Sequence, residues 1–325
     1  MSELIDYSVL TATIGDLERR VSDLESSAPI PSLPHVVPSP FRNVWVQATG
    51  NRETARGRVR DCARLGATHV TVFTGTGAGV VYENSAGIPV TESLSATVDE
   101  ATSLGLAVLA CIPVKYMCPP GMEEWDMRYT EGWDLKRSWL DLRVPDARSQ
   151  VAVLTTDLRV NYPSIFGVCY DYCRWDRFKD PFGIDNAQYI TQMVRQGYEA
   201  CGDHCYFTLS PISIWSDDIN EWDARRYGQY WPEWLKEGIC HFLTPMCYSQ
   251  LGQYLDRWTG TPVFPSQSVP VISPCINGDR DRPRTDQGWQ VEMDAVGQLD
   301  FSVFDRSLCT SYYPDKGDML RAQWS

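Results

Sequence analysis

The residue best placed to do chemistry in this chain is Asp171. It ends the run Ile165-Phe-Gly-Val-Cys-Tyr-Asp171, which reads as a buried strand, and it is followed by Tyr172-Cys-Arg174-Trp175. Strand alternation puts Phe166, Val168 and Tyr170 on one face and Gly167, Cys169 and Asp171 on the other. The bulky face suits packing against helices; the small one suits the crowded inside of a barrel. A carboxylate at the C-terminal end of a parallel barrel strand sits where such folds carry out their reactions, and an ionised Asp there acts as nucleophile or general base. The plainer alternative is structural, a buried Asp accepting hydrogen bonds from Arg174 or from loop amides.

A second carboxylate would complete an acid–base pair. Asp217 and Asp218, in Ile214-Trp-Ser-Asp-Asp-Ile219, rank first because Trp215 adjoins them on a long loop. Asp279 follows the expected seventh strand and Asp305 closes the expected eighth, and both serve equally as candidate binding acids; Glu123 and Glu124 are further candidates. Arg174 has the fork geometry to hold a carboxylate or to position Asp171. Tyr116, Trp125, Trp133, Trp175, Trp215 and Tyr248 fall in loops after strands and are candidates to line a cleft with flat faces. Trp231 and Trp234 are expected instead to pack a helix onto the barrel. The four histidines, His35, His69, His204 and His241, have no strand-end position, which argues against a His-centred triad. Cys201-Gly-Asp-His-Cys205 invites a zinc reading, but the segment lies at a helix-to-strand junction where the side chains are expected to diverge, and no second pair completes a four-ligand set. No metal and no cofactor are expected.

The elements that must position these residues alternate in type. Candidate strands are 43–48, 69–74, 107–112, 165–171, 206–211, 240–248, 270–275 and 300–304, with helix-like segments between them at 52–65, 94–104, 145–161, 186–200, 230–236, 251–258 and 286–297. That pattern predicts a (β/α)8 TIM-type barrel over 41–325. An open doubly wound sheet would want a phosphate-binding glycine loop after the first strand, and Ala48-Thr-Gly-Asn-Arg52 is no such fingerprint. Thr74-Gly-Thr-Gly-Ala-Gly79 is glycine-rich but reads as a loop.

Residues 1–28 differ from the rest. Tyr7, Leu10, Ile14, Leu17, Val21 and Leu24 form a heptad seam, so a short coiled-coil helix is expected, self-associating with trimer favoured over dimer. A proline-rich linker, 29–40, follows and holds the helix off the barrel. A formal net charge of −13 argues against nucleic-acid binding, which needs clustered Lys and Arg. No apolar run is long enough to insert in a membrane. The opening Met-Ser-Glu-Leu-Ile-Asp lacks the features of a signal peptide, so synthesis in a cytoplasm is expected.

Several segments, in order, resemble the barrel domain of bacterial glycoside-hydrolase-like proteins related to family ten. They are Val44-Trp-Val; Trp139-Leu-Asp-Leu-Arg-Val-Pro-Asp-Ala-Arg148; Gly167-Val-Cys-Tyr-Asp-Tyr-Cys-Arg-Trp175; and Gln229-Tyr-Trp-Pro-Glu-Trp-Leu-Lys-Glu-Gly238 with Phe242-Leu-Thr-Pro-Met-Cys-Tyr248. The resemblance implies a barrel acting on a glycan, with Asp171 at the reaction centre. Relatives commonly carry further carboxylates just upstream in that strand, where this chain has Phe166 and Gly167.

Three functions stay open at this point. The first is a virion-associated glycoside hydrolase that cuts a bacterial surface polysaccharide or peptidoglycan glycan, working from the particle in contact with other virion proteins. The second is a glycan-binding attachment module that has lost the chemistry. The third is a purely structural tail-fibre or decoration subunit. The phage setting is an analogy drawn from a coiled coil feeding a carbohydrate-active barrel.

Overall fold

The computed structural model describes residues 41–244, apart from 48, 77–78, 81, 87, 89, 91–92, 133–137, 176–181 and 212–226, together with 33, 275–276 and 308–311. The heptad segment and, Leu33 excepted, the proline-rich linker lie outside the described residues, as do the helix-like segments 251–258 and 286–297.

The strands are β1 Arg42–Val46, β2 His69–Phe73, β3 Ala107–Pro113, β4 Gly167–Asp171, β5 Tyr206–Leu209, β6 Phe242–Leu243, β7 Cys275–Ile276 and β8 Leu308–Ser311. All eight belong to one parallel sheet in the order β6-β5-β4-β3-β2-β1-β8-β7. The neighbours follow chain order without reversal, and the first strand pairs with the last through Asn43↔Cys309 and Val44↔Thr310. A doubly wound sheet reverses at a switch point; a parallel sheet that follows chain order and pairs its first strand with its last has the arrangement of an α/β barrel. The eighth strand begins beyond 300–304, the segment expected for it. The glycine-rich stretch after β2 contains a small antiparallel hairpin, Gly75–Thr76 with Gly79–Val80, rather than loop throughout.

Local chemistry accounts for the helices. In α1, Arg52–Arg64, the Asn51 side chain caps the Thr54 N–H at 2.9 Å, and Ala55, Val59 and Cys62 make the buried stripe. The second helix, α2, is Leu94–Ser103. In α3, Pro145–Asn161, proline opens the first turn and Ala147, Val151, Leu154 and Leu158 face inward at helical spacing. Helix α4 is Phe182–Cys201 and α5 is Trp231–Lys236. Trp231 and Trp234 are buried as expected, and the Trp234 indole donates to Thr191 Oγ1 of α4 at 2.9 Å.

Strand β4 has the expected two faces. Tyr170 points to the helices: its hydroxyl lies 2.6 Å from Thr155 Oγ1, and a Cβ on Gly197 of α4 would collide with its ring. Cys169 points into the barrel and packs with Trp45, Cys111 and Phe73. Gly167 is needed there, since a Cβ would run into the Tyr206 carbonyl oxygen and lie 2.9 Å from Leu109 Cδ2. Other interior groups are small and paired across strands: Thr71 with Asn43 at 3.0 Å and Ser210 with Thr244 at 2.7 Å. Phe166 departs from its expected helix-facing position. It precedes β4, outside the strict alternation, and stacks on Tyr206 at 4.5 Å while meeting His69 edge-on at 4.8 Å. With Phe41, which directly precedes β1, and Phe242 of β6, whose rings are 5.2 Å apart though β1 and β6 are not neighbours, these rings plug the N-terminal end of the barrel.

Candidate active site

The opposite end of the barrel carries the strand-end chemistry. Asp171 closes β4, buried to 4% exposure, and pairs in register with Pro113 of β3. Its Oδ1 accepts the Tyr172 backbone N–H at 2.6 Å. Tyr172 itself has φ +57°, the sole non-glycine residue with positive φ among the described residues. A bulky residue in this left-handed region costs roughly 1–3 kcal/mol unless its surroundings hold it there. They do: the Arg174 backbone N–H donates to the Tyr172 carbonyl at 2.8 Å, and two cations stand against the Tyr172 ring. Lys115 Nζ sits 3.6 Å from its centroid and the Arg174 guanidinium 4.6 Å.

Lys115 lies two positions beyond the strand partner of Asp171, and its ammonium also stands over Tyr116, at 4.6 Å, and Trp139, at 4.4 Å. Three rings around one buried ammonium make a cation–π box, where each contact is worth up to about 2 kcal/mol once desolvated. Arg174 Nη1 lies 3.8 Å from Asp171 Oδ1, an ion pair longer than a hydrogen bond. The negative charge of Asp171 also pushes the buried Cys173 thiol up, second to burial itself.

The flanking motifs brace this corner. Asp126 and Asp141 are both buried, and neither is a spare acid. Asp126 binds Arg128 at 2.6 Å and accepts the backbone N–H of Trp139, the residue whose indole covers Lys115. Asp141 accepts from Arg143 at 2.6 Å and from Thr130 Oγ1 at 2.8 Å. Burial alone would raise its pKa, but those hydrogen bonds outweigh it and hold the carboxyl below its usual range. Arg148 then ties down the carbonyls of Leu142 and Arg143. On the other flank, Gln229 donates to the Cys173 carbonyl at 3.1 Å and the Trp175 N–H to the Tyr227 carbonyl at 2.9 Å.

The expected site residues therefore divide. Asp171, Arg174 and Tyr116 come together, the Tyr116 and Tyr172 rings 5.4 Å apart. Trp175 does not join them as a stacking surface: it is 0% exposed, in the core beside Gly228. Glu123 and Glu124 are exposed on a single 3₁₀ turn, whereas Trp125 packs against the core. Asp217, Asp218, Trp215, Trp133, Tyr248 and Asp279 lie outside the described residues. Asp305, also outside them, precedes β8 in the chain rather than following it, so it does not close that strand.

Lys115, Tyr172 and Trp139 were not singled out as site residues. Tyr172 follows the strand end, beyond the residues whose alternation was read. A signal for Lys115 exists in the sequence: it follows β3 at the barrel end where Asp171 was placed.

No family model matches the chain, and no curated protein matches it. Solved structures do match. The endo-beta-1,4-mannanase from Thermotoga petrophila superposes with a TM-score of 0.56 at 11% identity, over 87% of this chain and 76% of that one. The catalytic domain of the beta-amylase from Paenibacillus polymyxa gives 0.55 at 8% identity, over 85% and 92%. A D-allulose 3-epimerase from a Methylomonas species gives 0.50 at 11% identity, over 86% and 85%. At such identities the likeness is one of fold, and it agrees with the barrel read from strand order.

Proposed function

We propose that this chain is a glycoside-hydrolase-like barrel protein that cleaves a glycosidic bond in a bacterial surface polysaccharide or peptidoglycan glycan, with Asp171 as nucleophile or general base. The observation that carries the reading is the strand-end construction around Asp171: a buried carboxylate aimed by a left-handed Tyr172 and paired with Arg174, beside aromatic rings. Structures of such rigidity at a strand end are where barrel enzymes react. The fold likeness to a mannanase and to a beta-amylase supports the choice of a glycan. Glycoside cleavage uses a second carboxylate across the bond; Asp217 or Asp218 takes that part, with Trp215, Tyr248 and Asp279 as glycan contacts. The protein works as part of a phage particle, as a trimer joined through residues 1–28.

A second reading, a glycan-binding attachment module without turnover, is favoured by one observation. The rings of Tyr116, Trp139 and Tyr172 already enclose the protein's own Lys115, and upstream of Asp171 the strand offers Gly167 rather than another acid. Wild type and Asp171→Asn, incubated with host-type surface polysaccharides and peptidoglycan strands, separate the two. New reducing ends from wild type, reduced at least 100-fold in the variant, match the hydrolase. Glycan retention by both proteins with no reducing ends from either would refute it in favour of the binding module.

A further inference from the structure

The two cysteines that bracket the junction of α4 and β5 are brought together rather than apart. Helix α4 ends at Cys201; Gly202 takes φ +66° and a single 3₁₀ turn, Gly202–His204, swings the chain back, so that Cys205 is already extended at φ −143° and ψ 131°. The left-handed glycine breaks the helical path that would have kept the two side chains stacked along the axis. As a result Cys201 Sγ and Cys205 Sγ are 2.8 Å apart, both buried, at 0% and 3% exposure. That separation is within an ångström of the about 2.05 Å of a sulfur–sulfur bond.

We infer that Cys201 and Cys205 form an oxidisable pair, closed to an intramolecular disulfide by exchange with a small-molecule disulfide such as oxidised glutathione. The thiolate of one cysteine attacks a sulfur of the reagent and expels one thiolate, leaving a mixed disulfide. The second cysteine attacks the protein sulfur of that bond and expels the other. Two protein S–H bonds are lost, one S–S bond forms, and the two electrons and two protons leave on two molecules of reduced thiol. Reaction is slow from the closed state, because burial holds Cys201 in its thiol form and its sulfur also donates to the Cys205 carbonyl at 3.2 Å. Transient opening of the end of α4 starts it.

The location determines the consequence. Cys205 directly precedes Tyr206, which begins β5 and stacks on Phe166 in the aromatic plug. This is the end of the barrel opposite Asp171, so the bond staples α4 to the base of the barrel and leaves the strand-end site untouched. The inference therefore stands apart from the proposed function. A disulfide formed after release into an oxidising medium would strengthen the barrel there, while in a reducing cytoplasm the pair stays open.

The test uses the full chain, equilibrated in glutathione buffers from fully reduced to fully oxidised, quenched in acid, unfolded, alkylated and mapped by peptide mass. The oxidised sample should contain the peptide spanning 201–205 lighter by two hydrogens and free of alkyl groups, reverting with dithiothreitol. Its melting temperature should rise by about 3 °C over the reduced form. The Cys205→Ser chain should show neither change. Full alkylation of both cysteines in the oxidised sample, a stable glutathione adduct on either one, or pairing of Cys201 with another cysteine would each overturn the inference. The mass map is made on wild type, so it decides the matter even if a variant folds poorly.

Discussion

His69 should make the barrel sensitive to mild acid. Its ring is wedged between Phe41, at 4.6 Å, and Phe166, at 4.8 Å, in the plug at the N-terminal end. Thr68 Oγ1 accepts the Arg42 N–H and lies 2.7 Å from His69 Nδ1, close enough for its hydroxyl to donate to the ring, which suits the neutral imidazole. Burial depresses the His69 pKa from 6.5 to about 4. The sign follows from proton counting. Between the two values the unfolded chain binds a proton that the folded protein refuses, so stability is full above the unfolded value and falls as pH drops through the window. At roughly 1.4 kcal/mol per pH unit, acidifying from pH 7 to 4.5 removes about 2–3 kcal/mol. For a chain of this length that lowers the melting temperature by about 4 °C. Other carboxylates titrate over the same range, so the measurement is a difference: melting temperature against pH for wild type and for His69→Gln, which keeps an acceptor for Thr68 but has no proton to bind. The gap between the curves should shift in favour of the variant by about 4 °C from pH 7 to 4.5. Parallel curves would show that His69 takes up its proton in place, and the account of the plug would fail.

Two more outcomes are expected. Gly228 has φ +70°, and a Cβ there would lie 2.7 Å from Trp175 Cδ1, so Gly228→Ala should cost about 2 kcal/mol and disturb the turn that carries Arg174; chemical denaturation of the two chains side by side reads this, and equal midpoints would contradict it. Deleting residues 1–28 should convert a trimer into monomers without changing the near-ultraviolet signature of the buried tryptophans; light scattering that finds the same mass per particle for both chains would remove the coiled-coil proposal.

Much of the positioning machinery was legible in the chain because it is local. The helices expected at 52–65 and 145–161 and the alternation through β4 depend on neighbours within a turn or a strand, and the structure places α1, α3 and the two faces of β4 as read. Asp171 followed from the same alternation. What failed was judged from the wrong side of a turn or across the fold. Trp175 looked like a loop aromatic, yet its indole sits in the core against Gly228. Cys201 and Cys205 looked divergent because a helix-to-strand junction separates them, but Gly202 folds them onto each other. Phe166 belongs by parity to the helix face, yet it stacks on Tyr206 and meets His69 at the base of the barrel.

Among the described residues the sequence by itself determined the order and type of the strands and helices and the placing of one carboxylate at a strand end, since periodicity is a property of adjacent residues. Only the tertiary structure decided that β1 pairs with β8, that Lys115 and Arg174 stand against the Tyr172 ring, and that Asp126 and Asp141 brace the corner instead of serving it. Those arrangements join residues distant in the chain, and their energies, cation over ring and buried ion pair, exist only once closure of the barrel has expelled the water that would otherwise screen them.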